Sequence, residues 1–258
     1  MNKTVTEIWN RRSLILTLAI SDLKLRYRNS IFGFFWSFLE PLLMLTVLYL
    51  VFTEIFHSTI QYYPLYLLMG LIMWNMFARG TSIGMESILN KSGLITQTYL
   101  PREVVVFSGV LTSFFMMLFE LIVFFIFMGV FGLMPPVTII MLPLMVVILF
   151  VLTLGFSFVL SSLLVYYRDL RSIWNVILQA AFFAATIIYQ ITIFPEKIRH
   201  IISLNPIVPL LDISRNVTIY NKWPDGSDLA YLISVTFIML CVGYVIFKIL
   251  DRRIVEEL

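Results

Sequence analysis

The sequence predicts an all-α membrane protein with six transmembrane helices. Of its 258 residues, 60% are hydrophobic and only 13% are charged, whereas soluble globular domains carry about 25% charged residues. The mean hydropathy is +0.95. Apolar windows of about 20 residues, the length that crosses a bilayer core, recur along the chain. They place spans at 31–53, 64–85, 104–131, 137–165, 172–194 and 229–250.

Lysine and arginine residues orient the six predicted spans. Fourteen of the 18 lie in the N-terminal segment, around the connection between the second and third spans, in the turn before the fifth span and at the C-terminal end. The connections at 54–63 and 132–136 have none, and residues 195–228 hold four. Because Lys and Arg are enriched in cytoplasmic loops, we predict a multi-pass protein with both termini in the cytoplasm. The expected division is a cytoplasmic N-terminus at 1–30, a transmembrane domain at 31–250 and a cytoplasmic tail at 251–258.

The segment before the first span has the pattern of an amphipathic helix that lies on a membrane surface. One stripe at helical spacing is polar and consists of Thr17, Ser21, Lys24 and Arg28. The opposite side is apolar and consists of Ile15, Leu16, Ala19, Leu23 and Tyr27. Asp22 and Arg26 interrupt the apolar side. The pattern suits either a basic helix that binds anionic lipid headgroups or a helix on which another protein docks.

The first predicted span continues this helix without a break and is apolar on all sides from Ile31 onward. It contains Glu40 followed by Pro41, which removes a helix hydrogen bond and can kink the helix. A carboxylate inside a bilayer is costly unless it is paired, protonated or facing water. We therefore expect Glu40 either to face a pathway or to bond a neighbouring helix. Glu120, which lies among phenylalanines in the third span, is expected to make a buried contact between helices.

The inner connection at 90–103 has the composition of a short structured element. Leu94, Ile95, Tyr99 and Leu100 give it an apolar side, and Pro101 closes it. A plain loop would not need those apolar residues. We therefore predict a short helix that docks on another protein.

The outer segment at 195–228 is too apolar for a free loop. Asn205, Pro206 and Pro209 nevertheless interrupt any single helix. We predict two short helices. They would either dip into the outer leaflet as a hairpin, where protein or a wet cavity can cover irregular backbone, or lie flat on the outer surface.

The sequence lacks the patterns by which a chain binds nucleotides, metals or nucleic acid. There is no GxxxxGK[ST] loop and no glycine-rich nucleotide turn, so we expect no cofactor on this chain. There is no metal-ligand cluster and no paired-carboxylate or Ser/His/Asp arrangement, so we predict no catalytic residue and no enzyme activity. The single Cys241 lies in the last span, and no basic patch with exposed aromatic residues supports binding to nucleic acid.

Aromatic residues make up 16% of the chain. Interfacial belts and packing explain most of them. Sugars, however, present C–H faces that stack on aromatic rings. A wide pathway lined by Trp36, Tyr49, Trp174 and Tyr189 would therefore suit a glycan.

Four segments, in this order, give the chain a resemblance to a known family. They are LKLRYRNSIFGFFWSFLEPLL at 23–43, LPREV at 100–104, YYRDLRSIWNVILQAAFF at 166–183 and LNPIVPLLDISRN at 204–216. Together with the six spans they resemble the membrane-spanning subunit of type-2 ABC exporters. The resemblance is to the branch that exports bacterial polysaccharides such as O-antigen, capsule and teichoic acid.

The resemblance implies an assembly and a cargo. Two copies of the chain would form a homodimer with two cytoplasmic ATPase subunits, and those subunits would bind ATP and Mg²⁺. The complex would lie in the bacterial inner membrane, in contact with its lipids, and move a lipid-linked polysaccharide of O-antigen type out of the cytoplasm. Teichoic acid, capsule, and small lipids or drugs are alternative cargoes. Outside the family, the alternatives are a passive scaffold or an ion-coupled secondary transporter, for which the chain shows no internal repeat.

The resemblance also implies roles for residues. The amphipathic helix would be an interface helix, and residues 90–103 would form a coupling helix. Both would contact the ATPase, at Asp22, Lys24, Arg26, Leu94, Tyr99, Leu100, Pro101, Arg102 and Glu103. The substrate pathway, between the first and fifth spans at the dimer seam, includes Phe35, Trp36, Glu40, Tyr49, Trp174 and Tyr189. Residues 195–228 become a re-entrant pair, with Asn205, Pro206 and Pro209 at the external gate. Many relatives have a proline in the stretch that matches 184–189. This chain has none there, so it lacks the residue that would kink the fifth span.

Overall fold

A computed structural model describes residues 11–28, 30–55, 60–98 and 100–257. Within these ranges the chain forms α-helices joined by short turns and 3₁₀ segments. The helices are α1 (Arg12–Arg26), α2 (Trp36–Leu50), α3 (Tyr63–Asn90), α4 (Ser92–Thr98), α5 (Arg102–Val130), α6 (Leu142–Tyr166), α7 (Leu170–Ala184), α8 (Glu196–Ser203), α9 (Ile207–Thr218) and α10 (Gly226–Glu257). A π-helical stretch, Val51–Ile55, extends α2, and a 3₁₀ turn, Val137–Met141, leads into α6.

Four of the described helices are long and apolar enough to cross a membrane. These are Trp36–Thr53, Arg102–Val130, Val137–Tyr166 and Gly226–Asp251. The all-helical architecture and these four helices confirm the predicted fold class of a helical membrane protein. Of the other two predicted spans, α3 is long but carries several polar residues, and α7 is short.

Helix α3 lies at the centre of the bundle and packs against α2, α5 and α6. Residues 65–74 are buried without interruption. A helix that is apolar on all sides needs protein or lipid around its whole circumference, and here neighbouring helices supply most of it. The polar residues of α3 are therefore positioned to contact other helices.

Small residues let two pairs of helices approach closely. A Cβ atom on Gly84 of α3 would lie 2.5 Å from Ser157 Oγ of α6, and one on Gly80 would lie 2.6 Å from Thr153 Cγ2. Helices α6 and α10 are closer still, because a Cβ on Gly243 would lie 2.2 Å from the carbonyl oxygen of Gly155. The GxxxG pair in α3 thus packs on the small residues of α6.

The predicted continuous passage from the amphipathic helix into the first span is wrong. Helix α1 ends at Arg26, Gly33 takes a left-handed conformation with φ +52°, and α2 begins only at Trp36. Glycine adopts this conformation without steric cost, so the chain can turn sharply here. Ile31, the expected first residue of the span, is 97% exposed. A hydrogen bond of 2.6 Å from Ser37 Oγ to Tyr27 Oη joins the two sides of the turn.

The predicted fifth span at 172–194 is also wrong in its extent. Helix α7 ends at Ala184, and at 1.5 Å per residue its 15 residues span only about 22 Å. A bilayer core is about 30 Å thick. The helix is interrupted although no proline is present, and Thr186 follows with φ +53°.

Candidate functional site

A groove of about 530 Å³ opens on the face formed by α2, α3 and α7. Its lining is mostly apolar and aromatic, with one carboxylate and one amide. The lining residues are Trp36, Glu40, Leu43, Met44, Val47, Leu71, Trp74, Asn75 and Phe182. Two predicted pathway residues, Trp36 and Glu40, therefore lie together on one wall of the groove.

The aromatic rings of the groove are held by neighbouring rings. Trp74 packs edge-to-face on Phe182 with centroids 5.9 Å apart, and its centroid lies 6.0 Å from that of Phe77. Trp36 packs edge-to-face on Phe32 at 5.6 Å. Such contacts restrict ring rotation. The groove therefore presents indole faces in defined orientations, an arrangement that suits a ligand with flat C–H faces.

A charged cluster lies behind the groove, where three helices meet. Arg79 of α3 donates from Nη2 to Glu120 Oε1 of α5, and its Nη1 lies 3.8 Å from Glu40 Oε2 of α2. Arg79 Nε also donates to the carbonyl oxygen of Asn75 at 3.3 Å. The Glu120 side chain is fully buried, whereas that of Glu40 is 56% exposed. The expectation of a buried helix contact for Glu120 is confirmed, and Glu40 both faces the groove and lies near a neighbouring helix.

The sequence does not single out Arg79 as a functional residue, because its charge counts with those of the inner connection when the spans are oriented. It lies inside α3, within the predicted second span. Glu40 and Glu120 lie in separate predicted spans, and each needs a counter-charge because buried charges are normally paired. This need is the signal in the sequence that points to Arg79. In the described ranges, no three His, Cys, Asp or Glu side chains converge in a way that could hold a metal ion.

Helix α7 carries a polar stripe that is not among the predicted pathway residues. Arg171, Asn175 and Gln179 are spaced four residues apart and are all exposed, and Phe182 of the groove follows three residues later. Residues four apart share one face of a helix. Arg171 pairs with Glu86 at 2.6 Å at the end of this stripe. The i, i+4 spacing was the signal that could have found Asn175 and Gln179.

The remaining predicted pathway residues do not line the groove. Phe35 lies on the surface beside it and is exposed. Trp174 is buried, and its Nε1 donates to Thr81 Oγ1 at 3.1 Å. Tyr49 packs on Tyr63, and the hydroxyl of Tyr189 donates to the carbonyl oxygen of Phe183. The ring and the N–H of Trp174 are both engaged in the core of this subunit, and its assignment to the pathway stays a prediction.

At the end of the bundle where α3 leads into α4, ion pairs join elements that are far apart in sequence. Lys91 Nζ, at the end of α3, lies 2.5 Å from Asp22 Oδ2 of α1. The neighbouring residues Arg102 and Glu103 of α5 pair with α10, the first with Asp251 and the second with Lys248. Asp22, Arg102 and Glu103 are therefore engaged within the chain, and their assignment as contacts for a partner stays a prediction.

The predicted short helix in the inner connection is confirmed as α4. Leu94 is exposed on it, whereas Ile95 and Leu100 are buried against the bundle. Lys24 and Arg26 of α1 are exposed, and Pro101 is half-buried. Tyr99 lies outside the described residues. The exposed surface at this end thus includes Leu94 on α4 and the basic residues of α1.

The two predicted helices in the outer segment are confirmed as α8 and α9. Asn205 Oδ1 accepts a hydrogen bond from the N–H of Ile207 at 3.1 Å, and Pro206 precedes the first residue of α9. Pro209 does not interrupt a helix, because it lies in the first turn of α9, where a backbone donor is not needed. Helix α9 is buried and packs on α3 and α6. It therefore does not lie flat on a surface, whereas α8 is more exposed.

The backbone beyond the end of α7 is held by side chains from α3 and α9. Arg215 of α9, which is 1% exposed, donates to the carbonyl oxygens of Thr186 at 3.0 Å and Ile187 at 2.8 Å. The next two carbonyl oxygens accept from tyrosine hydroxyls of α3, that of Ile188 from Tyr63 at 2.9 Å and that of Tyr189 from Tyr66 at 3.0 Å. Four consecutive carbonyl groups, 186–189, are thus satisfied without a helix, as a buried backbone requires.

Arg215 is itself surrounded on several sides. Its guanidinium lies over the Tyr66 ring at 3.6 Å, donates to the Tyr66 hydroxyl at 2.8 Å and lies 3.5 Å from Asp212 Oδ1. Gly70 makes room for it, since a Cβ there would lie 2.4 Å from Nη2. The first turns of α3, the segment after α7 and helix α9 are therefore joined at one buried residue.

The sequence is similar to a known transporter family and to named transport proteins. A family model described as "ABC-2 type transporter" matches residues 13–219. The chain is 29% identical to an O-antigen export system permease protein RfbA of Myxococcus xanthus over the full length of both chains. It is 29% identical to an RfbA of Klebsiella pneumoniae, with 95% of each chain covered. It is 22% identical to the polysialic acid transport protein KpsM of Escherichia coli, with 90% of this chain and 91% of that protein covered.

Proposed function

Because the chain belongs to the ABC-2 type transporter family, we propose that it is the membrane-spanning subunit of an ATP-driven polysaccharide exporter. Its cargo is a lipid-linked glycan of O-antigen type, which it moves from the cytoplasm across the bacterial inner membrane. The relatives named as O-antigen export permeases support this cargo. The chain supplies the path and not the energy, since its sequence has no phosphate-binding loop.

The single observation that carries the proposal is the half-exposed carboxylate of Glu40 in an aromatic groove. Glu40 lies on α2, one of the four helices apolar enough to cross a membrane. A charge on such a helix is costly where it meets lipid and is tolerated where it meets water or protein. The groove is therefore expected to face a hydrated path. The indole rings of Trp36 and Trp74 would flank a sugar chain in that path.

A second copy of the chain would complete the path. One subunit supplies only one side of the groove, through α2, α3 and α7, and the polar stripe at Asn175 and Gln179 also faces outward. Apposing two such faces covers these polar groups and encloses a channel. The proposed topology has six spans, with α3 and α7 as the second and fifth, α1 as an interface helix and α8 with α9 as the re-entrant pair.

The inner end would receive the ATPase subunits. Helix α4 presents Leu94, and α1 presents Lys24 and Arg26, on the same side of the bundle as the ion pairs of Arg102 and Glu103. Closure of an ATP-bound dimer would push on α4. The ion pairs to α10 would pass that push into the bundle.

A deletion and complementation experiment tests the proposed function. Loss of the gene is expected to remove the surface glycan and to leave its lipid-linked form inside the cell. A plasmid copy should restore the glycan. The Trp36→Ala variant should restore about tenfold less, the consequence of losing roughly 1.4 kcal/mol of contact in the path. A deletion strain with unchanged surface glycan contradicts the proposal, and a Trp36→Ala variant that fails to assemble shows a packing role for Trp36.

Replacing Leu94 separates docking from stability. Leu94→Asp is expected to lower cargo-stimulated ATP hydrolysis by the reconstituted complex about tenfold, as for a central contact in an interface. Its thermal stability should stay unchanged because Leu94 is exposed. Leu100→Ala, at a buried position, should instead destabilise the permease by about 2–3 kcal/mol. The matched control is Gln97→Ala on the same helix, and full stimulation in Leu94→Asp argues against docking at α4.

A further inference from the structure

The lining of the groove has one carboxylate and, among the described residues, no cation. Among the described residues that line the groove, Glu40 is the only one with an ionisable side chain. Arg79 is shared between Glu40 and Glu120. One guanidinium and two carboxylates sum to −1, and protonation of one carboxyl brings the sum to zero. The cluster has a net positive charge only when both carboxyl groups are protonated.

The single cation of this cluster is not available to a ligand. The Arg79 side chain is only 11% exposed, and its Nη2 and Nε are engaged by Glu120 and by the carbonyl oxygen of Asn75. Its Nη1 lies 3.8 Å from Glu40 Oε2, and Glu40 lines the groove whereas Arg79 does not. An anionic ligand in the groove would meet the carboxylate of Glu40 before it met the guanidinium. Like charges opposed in a partly dry site repel strongly.

The same residues suit an uncharged, hydroxyl-rich ligand. Glu40 accepts hydrogen bonds, and the Asn75 amide both donates and accepts them. Trp36 and Trp74 offer apolar faces to the C–H sides of sugar rings. Hydroxyl donors satisfy the exposed carboxylate of Glu40, whereas phosphate, sulfate or carboxylate groups do not.

We propose that the groove selects glycan segments without anionic groups and that Glu40, held by Arg79, is the residue that excludes polyanionic chains. This inference rests on the proposed function and narrows its substrate class to polymers of uncharged sugars. It disfavours teichoic acids and acidic capsules as cargo. Selectivity by repulsion of the wrong ligand is a common physical device.

Binding of two matched oligosaccharides to the full chain in lipid nanodiscs tests the proposal. One is a neutral oligomannose and the other an oligosialic acid of equal length, and tryptophan emission reports binding. The wild-type protein is expected to bind the neutral oligosaccharide at least about tenfold more tightly. Glu40→Gln, which is nearly isosteric, should reduce the difference to about threefold or less. Glu40→Lys should reverse the preference, and its binding of the acidic oligosaccharide should weaken with salt.

Two control variants accompany the binding experiment. Trp36→Phe should change the emission signal and so assign it to the groove, and Glu86→Gln, which removes an acid outside the groove, should leave the preference unaltered. Equal binding of both oligosaccharides, or a preference that Glu40→Gln does not change, overturns the inference. Binding of neither also overturns it. Surface glycan that survives gene deletion overturns the proposed function itself, so the two failures are distinguishable.

Discussion

Arg79→Met is expected to destabilise the protein by about 3–5 kcal/mol, because it leaves the buried carboxylate of Glu120 without a counter-charge. The thermal unfolding midpoint in nanodiscs should fall by roughly 10 °C. The double variant Arg79→Met with Glu120→Leu removes both charges and should recover most of the loss, since a buried ion pair can be replaced by apolar groups at little cost. Glu120→Leu alone should be milder than Arg79→Met, because Arg79 then keeps Glu40 at 3.8 Å.

The control for this prediction is an ion pair at a more exposed position. Glu86→Gln breaks the pair with Arg171, whose side chain is 53% exposed. Such pairs contribute about 0–1 kcal/mol. If Arg79→Met and Glu86→Gln shift the unfolding midpoint equally, then the cluster of Arg79, Glu40 and Glu120 stabilises the protein no more than an exposed ion pair does. Additive effects in the double variant would contradict the coupling between Arg79 and Glu120.

Gly70→Ala is expected to destabilise the outer end of the bundle by about 3 kcal/mol. The new Cβ would lie 2.4 Å from Arg215 Nη2 and 3.3 Å from Ile187. Arg215 would have to move and give up its bonds to the carbonyl oxygens of Thr186 and Ile187, and overpacking and lost buried hydrogen bonds add together. Hydrogen–deuterium exchange should accelerate at residues 184–190 and in α9, because these two segments are joined by the hydrogen bonds of Arg215.

The matched control is another glycine inside a helix. Gly129→Ala in α5 has no atom within 4 Å of the new Cβ, so it should be neutral or stabilising by up to about 1 kcal/mol, as expected from helix propensity. Arg215→Met tests the same contacts from the other side and should also expose residues 184–190 to exchange. Unchanged exchange there in both variants would show that Tyr63 and Tyr66 hold the segment without Arg215.

Features with a local cause were predictable from the sequence. Apolar windows located the long helices, because apolar length is a property of the segment itself. The composition of 90–103 predicted α4, and the prolines and Asn205 predicted the division between α8 and α9. The turn at Gly33 has a local signal as well, since glycine permits the left-handed conformation, although the chain was expected to continue as one helix.

Features with a distant cause were not predictable in the same way. Nothing between Ala184 and Tyr189 ends a helix by itself, and the interruption is stabilised by Arg215, which lies about 30 residues further along the chain. The shared role of Arg79 likewise depends on two other helices. Leu100 and Glu103 look like docking residues in the sequence but are buried by contacts with the bundle. Long-range partners decide these cases, and a single sequence does not specify them.

The backbone contact between α6 and α10 has a mechanical consequence. Helices separated by a layer of side chains can slide past one another as that layer adjusts. At Gly155 and Gly243 no such layer exists, because the two backbones touch. We therefore expect a displacement of α10 at Lys248 or Asp251 to move α6 as well. We expect hinge motion at Gly33 and beyond Ala184, where the helices are interrupted.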